Sequence, residues 1–162
     1  TGQYEMWLPV SYVLNECTAF FYPTEERTLT IPCTSSRVLT VGAYDATAMT
    51  YADFSGRGKE NKDNQKPDLA APGVNVISVQ GQGGYAAFTG TSFATPFAAG
   101  GAALLMEWGM IEKNDPFLYG EKAKAYLRRG ARQLPGFEVW PNNQLGYGAL
   151  CVRDSIPETR LS

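Results

Sequence analysis

The side chain best placed for chemistry in this sequence is Ser92, in the run Thr89-Gly90-Thr91-Ser92-Phe93-Ala94-Thr95-Pro96. A stretch of small and apolar residues follows it and predicts a helix from Ser92 to Trp108. A serine in the first helical turn lies beside backbone N–H groups that have no acceptor within the helix, at the positive end of the helix dipole. Such groups stabilise the negative oxygen that develops when a carbonyl is attacked. Gly90 removes side-chain bulk where a substrate must come close. Pro96 falls near the first turn, where a missing N–H costs least. Serine is also a common helix cap, so the arrangement alone fits either a nucleophile or a capped core helix.

A serine nucleophile needs a base, and the sequence contains 0 histidines. Histidine is the usual proton acceptor for such a group, so the base must come from outside this chain. Cys17, Cys33 and Cys151 are widely spaced with no CxxC pair, which reads as free thiols and not as zinc ligands. Arg57, Lys59, Glu60, Lys62 and Asp63 form a mixed-sign loop without the oxygen-ligand spacing of a calcium site. No metal and no cofactor is expected.

The elements that must position Ser92 can be read around it. Val38–Val41 is a continuous apolar run ending at Gly42, as in a strand buried on both faces of a parallel sheet. Residues 55–67 read as an exposed loop. Asp68 to Gly73 leads into a second strand, Val74–Val79, and Gly81 to Gly84 is a tight turn before a short strand, Tyr85–Thr89. The helix from Ser92 is apolar all round, which predicts central burial, and Gly109 is placed to stop it. Gly120–Arg129 is an amphipathic helix ending at Gly130. Its Lys122, Lys124, Arg128 and Arg129 suit the helix dipole. A short strand is predicted over Leu145–Val152. Before the core, residues 1–30 are rich in aromatic and β-branched types and read as a strand-rich extension. Tyr4–Leu8, Tyr12–Leu14, Thr18–Tyr22 and Thr28–Ile31 are its strands, and Pro23 to Glu26 is a turn. Strand, loop, strand and buried helix indicate an α/β sandwich. Trp7, Trp108 and Trp140 read as core or interface anchors.

The chain has 162 residues, 44% hydrophobic and 19% charged, with a formal net charge of −2, the composition of one globular domain. No basic patch suggests nucleic acid, and no run of about 18 apolar residues suggests a membrane span. The opening TGQYEMWLPV lacks the pattern of a secretory signal, and its missing Met reads as a processed product or a designed chain.

The segment Gly90-Thr91-Ser92-Phe93-Ala94-Thr95-Pro96 resembles the nucleophile motif of the subtilases, G-T-S-x-A-[ST]-P. Val38 to Asp45 resembles the segment that family carries before it, as do Phe54-Ser55-Gly56-Arg57-Gly58 and Lys66-Pro67-Asp68-Leu69-Ala70-Ala71-Pro72-Gly73-Val74, all in family order. The resemblance is strong over residues 28–108 and looser to about 152. The aromatic N-terminal region and Lys113-Asn114-Asp115 resemble clostridial subtilases, a group that includes spore germination proteases.

The resemblance implies the C-terminal half of a subtilisin-like three-layer α/β/α fold, with residues 31–152 as its core. It implies a serine endopeptidase with Ser92 as nucleophile, and the Ser92 N–H and Thr91 serving the oxyanion. Ile31, Pro32 and Cys33 stand where the family has the wall of its primary specificity pocket. Cys33 departs from the family's glycine or alanine, and Ile31–Pro32 is a candidate cis peptide. Subtilases carry Asp, His and an oxyanion Asn before the serine. Asn15 sits in VLNEC, outside the family setting of that Asn. The implied partners are a peptide or protein substrate and an N-terminal part of the same protease. An extracellular or envelope location is implied. The alternative is a pseudoprotease or binding module of the same fold. Half of such a sheet, isolated, is expected to dimerise or exchange a segment.

Overall fold

The computed structural model describes residues 4–9, 13–59 and 64–157. Five strands and three α-helices follow in order: β1 (Val41–Asp45), β2 (Thr50–Tyr51), β3 (Leu69–Pro72), β4 (Val76–Val79), β5 (Tyr85–Phe88), α1 (Thr91–Met106), α2 (Gly120–Arg129) and α3 (Val152–Ser155). β1 is central in a three-stranded sheet of order β2-β1-β3. It runs parallel to β3, with Val41 opposite Leu69 and Tyr44 opposite Pro72, and antiparallel to β2. β4 and β5 form a separate antiparallel hairpin.

The parallel pair is buried on both faces, as its continuous apolar sequence requires. Val41 and Leu69 join the cluster around Leu105, Leu118 and Leu127, while Ala43 and Ala71 meet Ala94. The opposite face packs Tyr44 and Ala70 against Leu134, Leu145 and Ala149, with Phe137 and Trp140 around them. α1 therefore rests on one side of the sheet and irregular C-terminal chain covers the other.

Several elements differ from their sequence reading. β1 begins at Val41, because Val38 to Thr40 are tied instead by side chains of Asp68 and Lys66. Leu69–Pro72 is itself a strand and not the approach to one, and the next strand starts at Val76. The loop after Phe54 is exposed only in part, since Ser55, Gly58, Gln65, Lys66 and Pro67 are buried while Lys59 is exposed; residues 60–63 lie outside the described set. Gly109 does not stop α1. The chain continues as a π-helical turn, Glu107–Ile111, with Leu118 packed 2.7 Å from where a Cβ on Gly109 would stand. Leu145–Val152 forms only isolated bridges, through Gly146 and Ala149, and Val152 opens α3.

The predicted N-terminal strands are absent among the described residues, while Tyr12 lies outside them. Tyr4, Phe21 and Tyr22 are exposed, with no sheet face to pack on, and β propensity acts through such packing. The turn predicted at Pro23 to Glu26 falls at Glu26 and Arg27. Nor is α1 buried all round: Phe97, Leu104 and Met106 are exposed. Trp108 and Trp140 pack in the core, whereas Trp7 is 52% exposed and donates Nε1–H to the Arg27 carbonyl.

Candidate active site

A relay of two glycine-dependent contacts sets Ser92 relative to the sheet. The Gly73 N–H donates to the Tyr44 carbonyl at the end of β1, at 3.0 Å. The Gly73 carbonyl then accepts the Gly90 N–H at 2.8 Å. Gly90 is the N-cap of α1, with φ +152°, a region that suits glycine. Gly73 must also be glycine, since a Cβ there would lie 2.6 Å from the Ala43 Cβ. Thr89 steadies the hairpin side by accepting the Asn75 N–H at 3.0 Å through Oγ1.

Ser92 thus sits exposed in the first turn of α1. No side chain caps this end, and no acidic residue stands in its first turn. The Phe93 N–H is used by the Gly90 carbonyl, at 3.0 Å. Among the described residues no hydrogen bond engages the Thr91 or Ser92 N–H, or the Ser92 hydroxyl. The dipole of a 16-residue helix is therefore left uncompensated where an anionic oxygen would form. Thr91 is half-buried, and its carbonyl accepts the Thr95 hydroxyl at 3.0 Å.

Phe93 stacks on Phe88 with ring centroids 5.0 Å apart, giving an aromatic wall beside the serine. Sequence reasoning did not mark this pair; Phe88 just before the motif and Phe93 within it were its only signal. An apolar cleft lined by Val76, Ile77, Phe93, Pro96 and Phe97 continues into a trough bordered by Gly100, Leu104, Leu150 and Val152.

Ile31, Pro32 and Cys33 lie elsewhere. The Ile31–Pro32 peptide is cis, as the resemblance implies. Ile31 is exposed, and the Cys33 carbonyl accepts the Thr40 hydroxyl at 2.7 Å, just before β1. Among the described residues no hydrogen bond joins this segment to Gly90, Thr91 or Ser92. The two parts sit at opposite ends of β1, which at about 3.3 Å per residue sets them roughly 13 Å apart along the strand. Cys17, Cys33 and Cys151 are free thiols. Among the described residues no cluster of three or more His, Cys, Asp or Glu is placed to hold a metal ion. No helix among them is long and apolar enough to cross a membrane.

An exposed serine at an uncapped helix N-terminus, hung from a parallel β-pair, fits the architecture of an α/β serine hydrolase. The sequence model of the subtilase family matches residues 21–148, and the chain belongs to that family. Serine protease AprX of Bacillus subtilis is 33% identical over 156 residues, covering 82% of this chain and 33% of that protein. The B. subtilis cell wall-associated protease is 41% identical over 80 residues, covering 49% of this chain and 8% of that protein. Among solved structures, the Clostridium perfringens CspB protease superposes with a TM-score of 0.82 at 45% identity, covering 88% of this chain and 30% of that one. The prenylagaramide maturation protease PagA gives a TM-score of 0.66 at 30% identity, covering 81% of this chain and 46% of that one. The chain thus spans about a third of the length of AprX and of the CspB protease.

Proposed function

We propose that this chain is the nucleophile-bearing part of a serine endopeptidase. The Ser92 Oγ attacks a peptide carbonyl as a base supplied from outside this chain takes its proton. The oxyanion is held by the Ser92 N–H with help from Thr91. The C–N bond then breaks, the amine leaves with the proton, and water hydrolyses the acyl-enzyme to free Ser92. The observation that carries this reading is an exposed, unpartnered serine beside open N–H groups on an uncapped 16-residue helix.

Ile31, Pro32 and Cys33 form the far wall of the pocket for the substrate side chain that precedes the cleaved bond. At roughly 13 Å along β1, the wall meets the tip of a long side chain and not the cleaved bond itself. The Asp, His and oxyanion Asn come from a preceding part of the same protease. That part covers the apolar trough along α1. An extracellular or envelope location fits relatives named as cell wall-associated and extracellular proteases. Without the outside base the chain retains only the residual catalysis of positioned donors, about 10³–10⁴-fold over water.

Labelling of the full-length protein with a fluorophosphonate probe, beside Ser92→Ala, tests the assignment. Wild type is expected to label and the variant not to. Equal labelling would sink the reading.

A further inference from the structure

The segment that follows Cys33 has no regular structure through Val38 except turns, yet its carbonyls are held by side chains from remote positions. The Cys33 carbonyl accepts the Thr40 hydroxyl at 2.7 Å. The Thr34 carbonyl accepts Asn64 Nδ2 at 3.3 Å. Ser36 receives the Lys124 ammonium from α2, and the Val38 carbonyl receives the Lys66 ammonium at 2.7 Å. Donors brought from three parts of the chain to one short loop fix it in space far more firmly than its own turns could.

Two of these residues, Thr40 and Lys66, also bind Asp68, which is fully buried. Its Oδ2 accepts the Thr40 N–H at 2.6 Å and the Lys66 ammonium at 2.7 Å. Its Oδ1 accepts Arg128 Nε at 2.8 Å and also Nη2. The Arg128 guanidinium lies 4.9 Å from the centroid of the Tyr147 ring. Lys124 is 9% exposed, and burial holds its ammonium below the usual lysine range. Buried cations of this kind are costly, and a fold that needed only to join β1 to β3 could use apolar residues. Thr40 spends its N–H, carbonyl and hydroxyl at once, on Asp68, on the Asp68 N–H and on Cys33.

The geometry points to the Asp68 cluster, with Lys124 beside it, as the clamp that positions the Ile31–Cys33 wall: Asp68 acts through Thr40 and Lys66, and Lys124 holds the Ser36 carbonyl directly. These are positioning residues: Thr40 and Lys124 set the shape of the pocket and touch neither Ser92 nor the cleaved bond. The inference rests on reading Ile31–Cys33 as a pocket wall.

Cys33 supplies a reporter of the wall that does not depend on activity. In the full-length protein, native-state alkylation of Cys33 by iodoacetamide is followed by peptide-resolved mass spectrometry, with Cys151 as internal reference. Thr40→Val is expected to raise the Cys33 rate about tenfold, the equilibrium weight of one buried hydrogen bond, through local opening. Thr40→Ser restores the wild-type rate. Lys124→Met, which leaves the Asp68, Lys66 and Arg128 contacts in place, also raises it. Unchanged Cys33 rates in both Thr40→Val and Lys124→Met would overturn the clamp.

The same variants are assayed on peptides that differ only in the side chain before the cleaved bond. KM for the preferred peptide is expected to rise with kcat and Ser92 labelling unchanged, the signature of lost uniform binding. A raised Cys33 rate without any change in peptide selectivity would refute the pocket assignment while leaving the clamp standing.

Discussion

Ser92 draws its character from what its neighbours leave open. The uncapped helix end and the absence of acid in the first turn make its surroundings favourable to negative charge. The cost is carried by glycines that no other residue can replace without movement. Gly73→Ala brings a methyl 2.6 Å from the Ala43 Cβ and 3.1 Å from the Gly90 carbonyl. It is expected to lower stability by about 1–3 kcal/mol through overpacking and to slow probe labelling of Ser92, because the strain is passed to Gly90. Urea unfolding and labelling rates on the full-length protein check both parts. Asp68 is the second residue on which much turns. Asp68→Asn leaves Lys66 and Arg128 without their carboxylate and should cost about 3–5 kcal/mol, measured by the same unfolding curves.

Among the elements, α2 proves more than a solvated amphipathic helix. Its Lys124 and Arg128 reach into the protein, and its Lys122 and Tyr126 bind Asp115 in the preceding loop at 2.6 and 2.8 Å. The Lys122 hydrogen bond, with that of Tyr126, holds the Asp115 carboxyl below its ordinary range. The same contact raises Lys122 and Tyr126 above theirs. For Asp115 the stabilisation is present above the unfolded value of about 3.9 and is lost as pH falls through the lower folded value. For Lys122 it is present below about 10.4 and is lost as pH rises through the raised value. Asp115→Asn should therefore flatten the dependence of the unfolding midpoint on pH between about pH 2 and 5, relative to wild type. Equal slopes would show that this loop anchor does not couple to folding.

At the scale of the whole molecule, the accessible surface is 11454 Å², against about 7,900 Å² for a compact monomer of this mass. A surplus of about 3,500 Å² on one chain exceeds what one partner of a typical obligate interface buries. Much of it is apolar: Ile77, Val79 and Tyr85 on the hairpin, Phe97 and Leu104 on α1, and the aromatic residues near the N-terminus are exposed. Produced without the rest of the protease, the chain is expected to bury this surface by dimerising or exchanging a segment. Multi-angle light scattering checks this, and a heat-stable monomer would contradict it.

The helix that opens at the Ser92 motif and a buried strand at Val41 were legible in the sequence, but the partner strand Leu69–Pro72 read as the approach to a later one. The first two depend on local signals: small residues at helical spacing, a glycine at the cap, and an apolar run. The order of the motifs also carried the family. Tertiary structure alone decided the rest. Lys66, Asp68, Lys124 and Arg128 read as loop and surface charges because charge says nothing of its partner until the fold closes. The aromatic N-terminal run read as strands because β propensity assumes a sheet face, and among the described residues none receives it. The uncovered side of α1 could not be seen in a helix apolar all round, since a hydrophobic pattern records what a segment would bury and not whether the covering surface is there.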